Sequence, residues 1–181
     1  MIRLFAAVPV PHEIAEALVR RQTGVPEARW RPAETLHVTL RFFGDVREDA
    51  ADEMDLALEG VGGGPFALSL EGVGAFGDAA DVRAIWAGVA VSEPLKRLAG
   101  RCESAARKAG LKSEARAYRP HVTLAYLRRP DPASVAAWIQ ANNLLKSPEF
   151  GVDRFGLYSS WPTSEGSRYR LEREYPLYPA A

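Results

Sequence analysis

From Ile2 to Val8 the chain is β-branched and apolar, the pattern of a buried strand. Pro9 and Pro11 end it. Ile14, Ala17 and Leu18 then share one face of a helix expected over 11–22, with Pro11 near its first turn. Gly24-Val25-Pro26 breaks that helix, and Trp30-Arg31-Pro32 is an extended approach to a strand at 36–43 closed by Gly44-Asp45. An acidic amphipathic helix over 47–60 stops at Gly60 and the Gly62-Gly63-Gly64 linker. Phe66 to Val73 alternates as a strand, 74–81 reads as a hairpin loop, and Val82 to Val91 returns. A third helix over 93–109 aligns Leu95, Leu98, Cys102 and Ala106 and stops at Gly110. A strand at 118–127 precedes a helix at 132–144 with Val135, Trp138 and Ile139 inward. A strand at 149–159, a loop at 159–167 and a last strand from Tyr169 to Tyr175 complete the pattern.

Two of these strands carry one tetrapeptide. His37-Val38-Thr39-Leu40 recurs 84 residues later as His121-Val122-Thr123-Leu124. Alternation puts each His and Thr on one face and each Val and Leu on the other. At the same offset Ile2–Val8 falls on Trp86–Ser92, the helix at 11–22 on 95–106, and the helix at 47–60 on 131–144. Two halves, approximately 1–81 and 82–181, therefore each read β-α-β-α-β. Duplication would make the tetrapeptide strands equivalent central members, facing each other with two imidazoles and two hydroxyls around one cleft.

Composition changes this picture little. The 181 residues suit one domain of ordinary globular make-up, and no apolar run approaches the ~18 residues of a membrane span. The segment Met1 to Pro9 is too short and too β-like for a signal peptide. A single cysteine, Cys102, excludes an internal disulfide and a cysteine-built zinc cluster, and fits a reducing compartment; a cytoplasmic location is expected. Net charge is zero, so no global field attracts long nucleic acid. With only four lysines among 23 basic residues, 19 are arginine. GC-rich codon usage accounts for most of them; those flanking the tetrapeptides are candidates for forked contacts with phosphate.

Two imidazoles across a cleft can act as an acid–base pair, one neutral and one protonated at the same pH. Two hydroxyls beside them can donate to the non-bridging oxygens of a phosphoryl group. This equipment suits phosphodiester cleavage without metal or other cofactor. It suits acyl transfer poorly, because no Ser-His-Asp arrangement is visible. One copy alone would be an unremarkable strand; two copies in matching halves point to catalysis. A metal site needs three or four ligands, and the third histidine, His12, lies on the first helix with no carboxylate pattern to join it.

The chain resembles the bacterial RNA 2',3'-cyclic phosphodiesterases, also called 2'-5' RNA ligases, of the two-histidine phosphoesterase superfamily. The resemblance covers nearly the whole chain. It rests on Arg3-Leu4-Phe5-Ala6-Ala7-Val8-Pro9, Trp30-Arg31-Pro32, Leu36 through Gly44, Trp86-Ala87-Gly88-Val89, Arg119 through Leu124, and Leu157-Tyr158-Ser159-Ser160. It implies a single bilobal α+β domain over 1–181, with antiparallel sheets lining a central cleft. It also implies hydrolysis of RNA 2',3'-cyclic phosphate ends, or of cyclic 2',3'-nucleotides, to a 2'-phosphate. In that reaction His37 is implied as proton donor and His121 as proton acceptor, with Thr39 and Thr123 beside them. A monomer is expected, with RNA ends as partner and no membrane. The rival readings are a binding module for nucleotides or RNA ends that does not turn them over, and 2'-5' RNA ligation as the physiological activity.

Family members often carry Arg five residues after the second histidine. Here that residue is Tyr126, with Arg128 and Arg129 just beyond. Regular alternation would put Tyr126 and Arg128 on the face opposite Thr123. Arg119, two before His121, is the first candidate for the phosphate-binding cation, a surface ion pair being its other role. Phe43, on the face of His37 by alternation, could stack on a base or pack in the core. Trp161 in the late loop is a further stacking candidate.

Overall fold

The computed structural model describes residues 1–179. In chain order the elements are β1 (Ile2–Pro9), α1 (His12–Val19), β2 (Arg29–Trp30), β3 (His37–Val46), α2 (Glu48–Glu59), β4 (Phe66–Leu68) and β5 (Leu70–Asp78). They continue with β6 (Asp81–Val89), α3 (Glu93–Lys108), β7 (His121–Tyr126), α4 (Pro132–Asn142), β8 (Phe150–Val152), β9 (Arg154–Thr163) and β10 (Gly166–Pro176). Both major sheets are antiparallel, with strand orders β10-β9-β1-β3 and β2-β7-β6-β5. Among the described residues no helix is long and apolar enough to cross a membrane.

The expected helices form, each from an apolar stripe and a start or stop signal. Ser92 caps α3 by accepting from Leu95 N–H, and Asp131 caps α4 by accepting from Ser134 N–H. Leu95, Leu98 and Cys102 of α3 are buried, as helical spacing requires. Two regions with the look of loops are strands instead. β5 continues to Asp78, leaving only Ala79-Ala80 as its turn to β6. Its glycines look like loop residues but serve the sheet: a Cβ on Gly74 would lie 2.4 Å from the Trp86 indole, and Gly77 takes φ 109° beside a register shift. The late loop is likewise a hairpin, with β9 running to Thr163 and β10 starting at Gly166, φ 116°.

The sheets do not divide where the chain halves do. Offset by 84 residues, β5 (70–78) falls within β9 (154–163). Under that correspondence β9-β1-β3 and β5-β6-β7 have the same order, yet β5 pairs with the second-half strand β6 and β9 with the first-half strand β1. Each sheet thus takes two of its four strands from the other half, β9 and β10 in the first and β2 and β5 in the second. β3 also lies against β7, and the Tyr118 hydroxyl donates to the Thr39 carbonyl at 2.8 Å.

Both tetrapeptides follow alternation, then break it at the same position. Val38, Leu40, Val122 and Leu124 are buried in a core shared by both sheets, while His37, Thr39, His121 and Thr123 stay partly accessible on the opposite face. Against β1, Thr39 pairs with Ala7 but Arg41 pairs with Ala6, so Leu40 is an extra, bulged residue. Against β6, Thr123 pairs with Trp86 and Ala125 with Ile85, so Leu124 is bulged too. Each bulge keeps two successive residues on the core side and reverses the alternation beyond it.

If the Val positions face that core, a buried hydroxyl there goes without a partner. Val38→Thr and Val122→Thr should each lower unfolding free energy by ~1–3 kcal/mol in urea denaturation. Unchanged midpoints in both variants would mean the register is wrong.

Candidate active site

The two imidazoles are held by one device used twice. His37 Nδ1 lies 2.7 Å from the carbonyl of Thr35, and His121 Nδ1 lies 2.7 Å from the carbonyl of Arg119. A carbonyl can only accept, so each Nδ1 carries the proton and each Nε2 is left as the site of proton exchange. In each case the acceptor sits two residues upstream, on the segment leading into the strand. His37 Nε2 meets Thr39 Oγ1 at 3.0 Å. With His37 neutral, the Thr39 hydroxyl donates to that nitrogen. Once His37 is protonated, Nε2–H becomes the donor, and the Thr39 proton is released to point elsewhere. Thr123 stands on the His121 face, opposite Trp86 in the β6–β7 register.

Aromatic rings build the walls. On the first sheet Phe5 stacks on His37 at 4.8 Å and on Tyr158 at 5.4 Å, and Tyr169 meets His37 edge-on at 5.4 Å. On the second sheet Phe76 meets His121 edge-on at 4.7 Å, with the Trp86 ring 6.1 Å away. Phe76, Trp86, Gly88, Tyr118, Arg119 and His121 line part of a cavity of about 450 Å³. The buried Trp86 indole N–H has no hydrogen-bond partner among the described residues.

Burial holds both imidazoles toward the neutral form. It pushes His37 down to about 4, aided by the positive charges of Arg31 and His121 and opposed by the Thr35 carbonyl. Burial also lowers His121, with the charge of Arg119 acting in the same sense and its carbonyl opposing. Among the described residues no group of three or more His, Cys, Asp or Glu converges as metal ligands, and His12 is exposed on α1 with Glu16 4.0 Å away.

The substrate-contact candidates fare unevenly. The exposed Arg119 lays its guanidinium 5.4 Å over Phe76, beside His121. Tyr126 is not opposite Thr123: the bulge at Leu124 returns it to the histidine face, paired with Ala84. Phe43 must be reassigned. The bulges in β3 turn it to the core side, where Arg41 lies 5.9 Å over its ring, and Phe42 instead pairs with Phe5 on the histidine face, 51% exposed. Trp161 is on β9, not a loop, and on the far face: it shares the side of buried Ser159, to whose Oγ its indole N–H donates at 3.0 Å. Arg128 lies beyond the end of β7, exposed, before the turn at Arg129, φ 47°.

Sequence reasoning misses Phe76, Tyr169 and Arg31. The first falls in a glycine-rich stretch with the look of a loop, and the second is one polar aromatic in an alternating strand. Arg31 stands out in the sequence only as part of an approach segment. Trp30 pairs with Ala125 on the core side, so alternation from β2 turns Arg31 to the histidine side and could have found it.

Two imidazoles of matched tautomer, each with a threonine two residues on, thus stand on the partly accessible faces of the two sheets. Residues 10–160 match the family model of the 2'-5' RNA ligase superfamily, and the chain belongs to that superfamily. Among its relatives is the RNA 2',3'-cyclic phosphodiesterase of Archaeoglobus fulgidus, 31% identical over 172 residues, covering 93% of this chain and 97% of the relative. The RNA 2',3'-cyclic phosphodiesterase of Escherichia coli is 32% identical over 181 residues, covering 97% and 96%. Escherichia coli LigT, solved in complex with 3'-AMP, superposes with a TM-score of 0.78 at 27% identity, covering 97% of this chain and 98% of that one.

Burial of the two imidazoles shows directly in their titration. In an NMR titration of the free protein, the His37 ring resonances should shift with a midpoint at about 4, and those of His121 below 6.5. A His37 midpoint near 6.5, the ordinary value, would contradict its burial between Phe5 and Tyr169.

Proposed function

We propose that this chain opens RNA 2',3'-cyclic phosphate ends to the 2'-phosphate without a metal, using His37 as acid and His121 as base. The observation that carries this reading is the pair of imidazoles with matched tautomers, each held through Nδ1 by a backbone carbonyl so that Nε2 is left unprotonated, with the Thr39 hydroxyl beside that of His37. The relatives' names support the same activity. Water attacks phosphorus in line with the 3'-oxygen. Its proton passes to His121 Nε2, the P–O3' bond breaks, and His37 Nε2–H protonates the departing oxygen. Thr39 and Thr123 donate to the non-bridging oxygens.

A buried His37 is a poor acid in the empty site, since it is neutral at pH 7. The substrate remedies this. Its negative phosphodiester offsets the charge of Arg31 and favours the imidazolium. Protonation of His37 also reverses its hydrogen bond with Thr39, so the hydroxyl proton turns to the phosphoryl oxygen in the same event.

Removal of either imidazole should lower turnover of a cyclic-phosphate oligonucleotide by at least ~10²-fold in His37→Ala and His121→Ala, the scale of a general acid–base group. Near-normal turnover in either variant would end the assignment. Activity should survive exhaustive chelation by EDTA, because the steps use only protons and hydrogen bonds; loss restored by one divalent ion would favour metal-assisted hydrolysis. Tight binding with no product would favour the binding-module reading.

The pH dependence follows from the protonation states. The reactive free form has His37 protonated and His121 neutral, so kcat/KM should be greatest between about 4 and 6.5 and fall through neutrality. The optimum of kcat should lie higher, because bound phosphate raises His37. A kcat/KM that climbs steadily from pH 6 to 8 would contradict this order of protonation.

A further inference from the structure

Arg31 is a cation without a counter-ion inside the cleft. It is only 7% exposed, and among the described residues it forms no ion pair with a carboxylate. One guanidinium nitrogen, Nη2, donates to the Ser167 carbonyl at 3.1 Å. The planar group lies 5.8 Å from the centre of the Tyr126 ring and 5.4 Å from that of Tyr169. A Cβ built on Gly166 would stand 3.1 Å from Arg31 Nη1 and 3.6 Å from Arg29 Nη2, so two guanidinium groups approach one glycine of the β9–β10 turn. Burying a guanidinium between two rings with only neutral partners, the Ser167 carbonyl and the Tyr169 hydroxyl, carries a desolvation cost that an anion would offset.

The position of this group is fixed from both sheets. The backbone N–H of Arg31 donates to the carbonyl of the bulged Leu124 at 2.8 Å, and Gln22 Nε2 holds the carbonyls of Arg31 and Leu124 at 2.9 and 3.3 Å. Tyr126 comes from the second sheet, while Ser167 and Tyr169 come from the first. Tyr169 also meets His37 edge-on, and the charge of Arg31 reaches that imidazole.

We propose that Arg31 is the phosphate-binding cation of this site, its fork held between Tyr126 and Tyr169 so that its free N–H groups grip the substrate's reacting phosphate beside His37. This rests on the reading of the cleft as a phosphodiesterase site. Arg119 and Arg128 are exposed, so their charges are screened by water. Arg31 is not, and it therefore dominates recognition of the phosphate. Its charge also adds to the burial that keeps His37 neutral, so an anion bound to the same group eases protonation of the acid.

The test compares Arg31→Gln and Arg31→Lys with Arg83→Gln, a control at an exposed arginine paired with Asp81. The probes are a 2',3'-cyclic mononucleotide for turnover and inorganic phosphate as inhibitor. Arg31→Gln should raise both KM and the phosphate inhibition constant by ~10–100-fold, the scale of a charge-assisted hydrogen bond, and should raise the NMR titration midpoint of His37. Arg31→Lys should fall between it and the wild type, and Arg83→Gln should match the wild type. A second cation from the facing wall should restore phosphate affinity in the Arg31→Gln, Tyr126→Arg double variant. If Arg31 were only a clasp to Ser167, melting temperature would fall while the phosphate constant stayed put, which would overturn the inference. Should the variants not fold, the wild type still decides: with 15N-arginine labelling, phosphate must shift the signal of a buried, slowly exchanging guanidinium, and an unshifted one overturns the proposal. A wild type with neither turnover nor phosphate binding would instead overturn the phosphodiesterase reading itself.

Discussion

Each histidine donates its Nδ1 proton to a carbonyl two residues upstream, and the chemistry of the site depends on that bond. It selects the tautomer, orients the ring and leaves Nε2 unprotonated and free of the backbone. The acceptor carbonyl lies outside the strand in both cases, on Thr35 and Arg119, so the segment leading into each strand matters as much as the strand. Proline occupies different positions in these two lead-in segments, Pro32 before the turn at Ala33–Thr35 and Pro120 directly before His121. Different local routes thus reach the same hydrogen bond.

Electrostatics gives the two imidazoles unequal starting points. His37 lies between Phe5 and Tyr169 and within reach of a buried guanidinium, so its charged form is held off more strongly than that of an exposed histidine. His121 borders an open cavity with Phe76 and Trp86. Both imidazoles are therefore held toward the neutral form in the empty site. In the reaction we propose, the anionic ligand itself supplies the field that protonates His37, and the hydroxyl of Thr39 changes partner in the same step.

The sequence made the centre of this arrangement legible and left its periphery hidden. Two copies of His-Val-Thr-Leu with strict alternation were enough to place His37, Thr39, His121 and Thr123 on one face and the valines in the core. What alternation could not reveal were the bulges at Leu40 and Leu124, because neither residue is a glycine or otherwise marks a break. Those bulges exchange Phe43 for Phe42 and bring Tyr126 round to the histidine side. Gly74, Gly77 and Gly166 have the look of loop formers, whereas they give close contact with an indole, a register shift and a tight hairpin inside strands. The crossing of β5 and β9 between sheets is a long-range pairing with no local signature.

The most direct measurement is phosphorus NMR of a defined oligonucleotide ending in a 2',3'-cyclic phosphate, turned over by the protein in 18O-labelled water. In-line attack with departure of the 3'-oxygen predicts one product, the 2'-phosphate, with a single labelled oxygen on phosphorus. A 3'-phosphate product would mean that the acid serves the other ester oxygen, and an unchanged cyclic phosphate under saturating protein would contradict the catalytic account altogether.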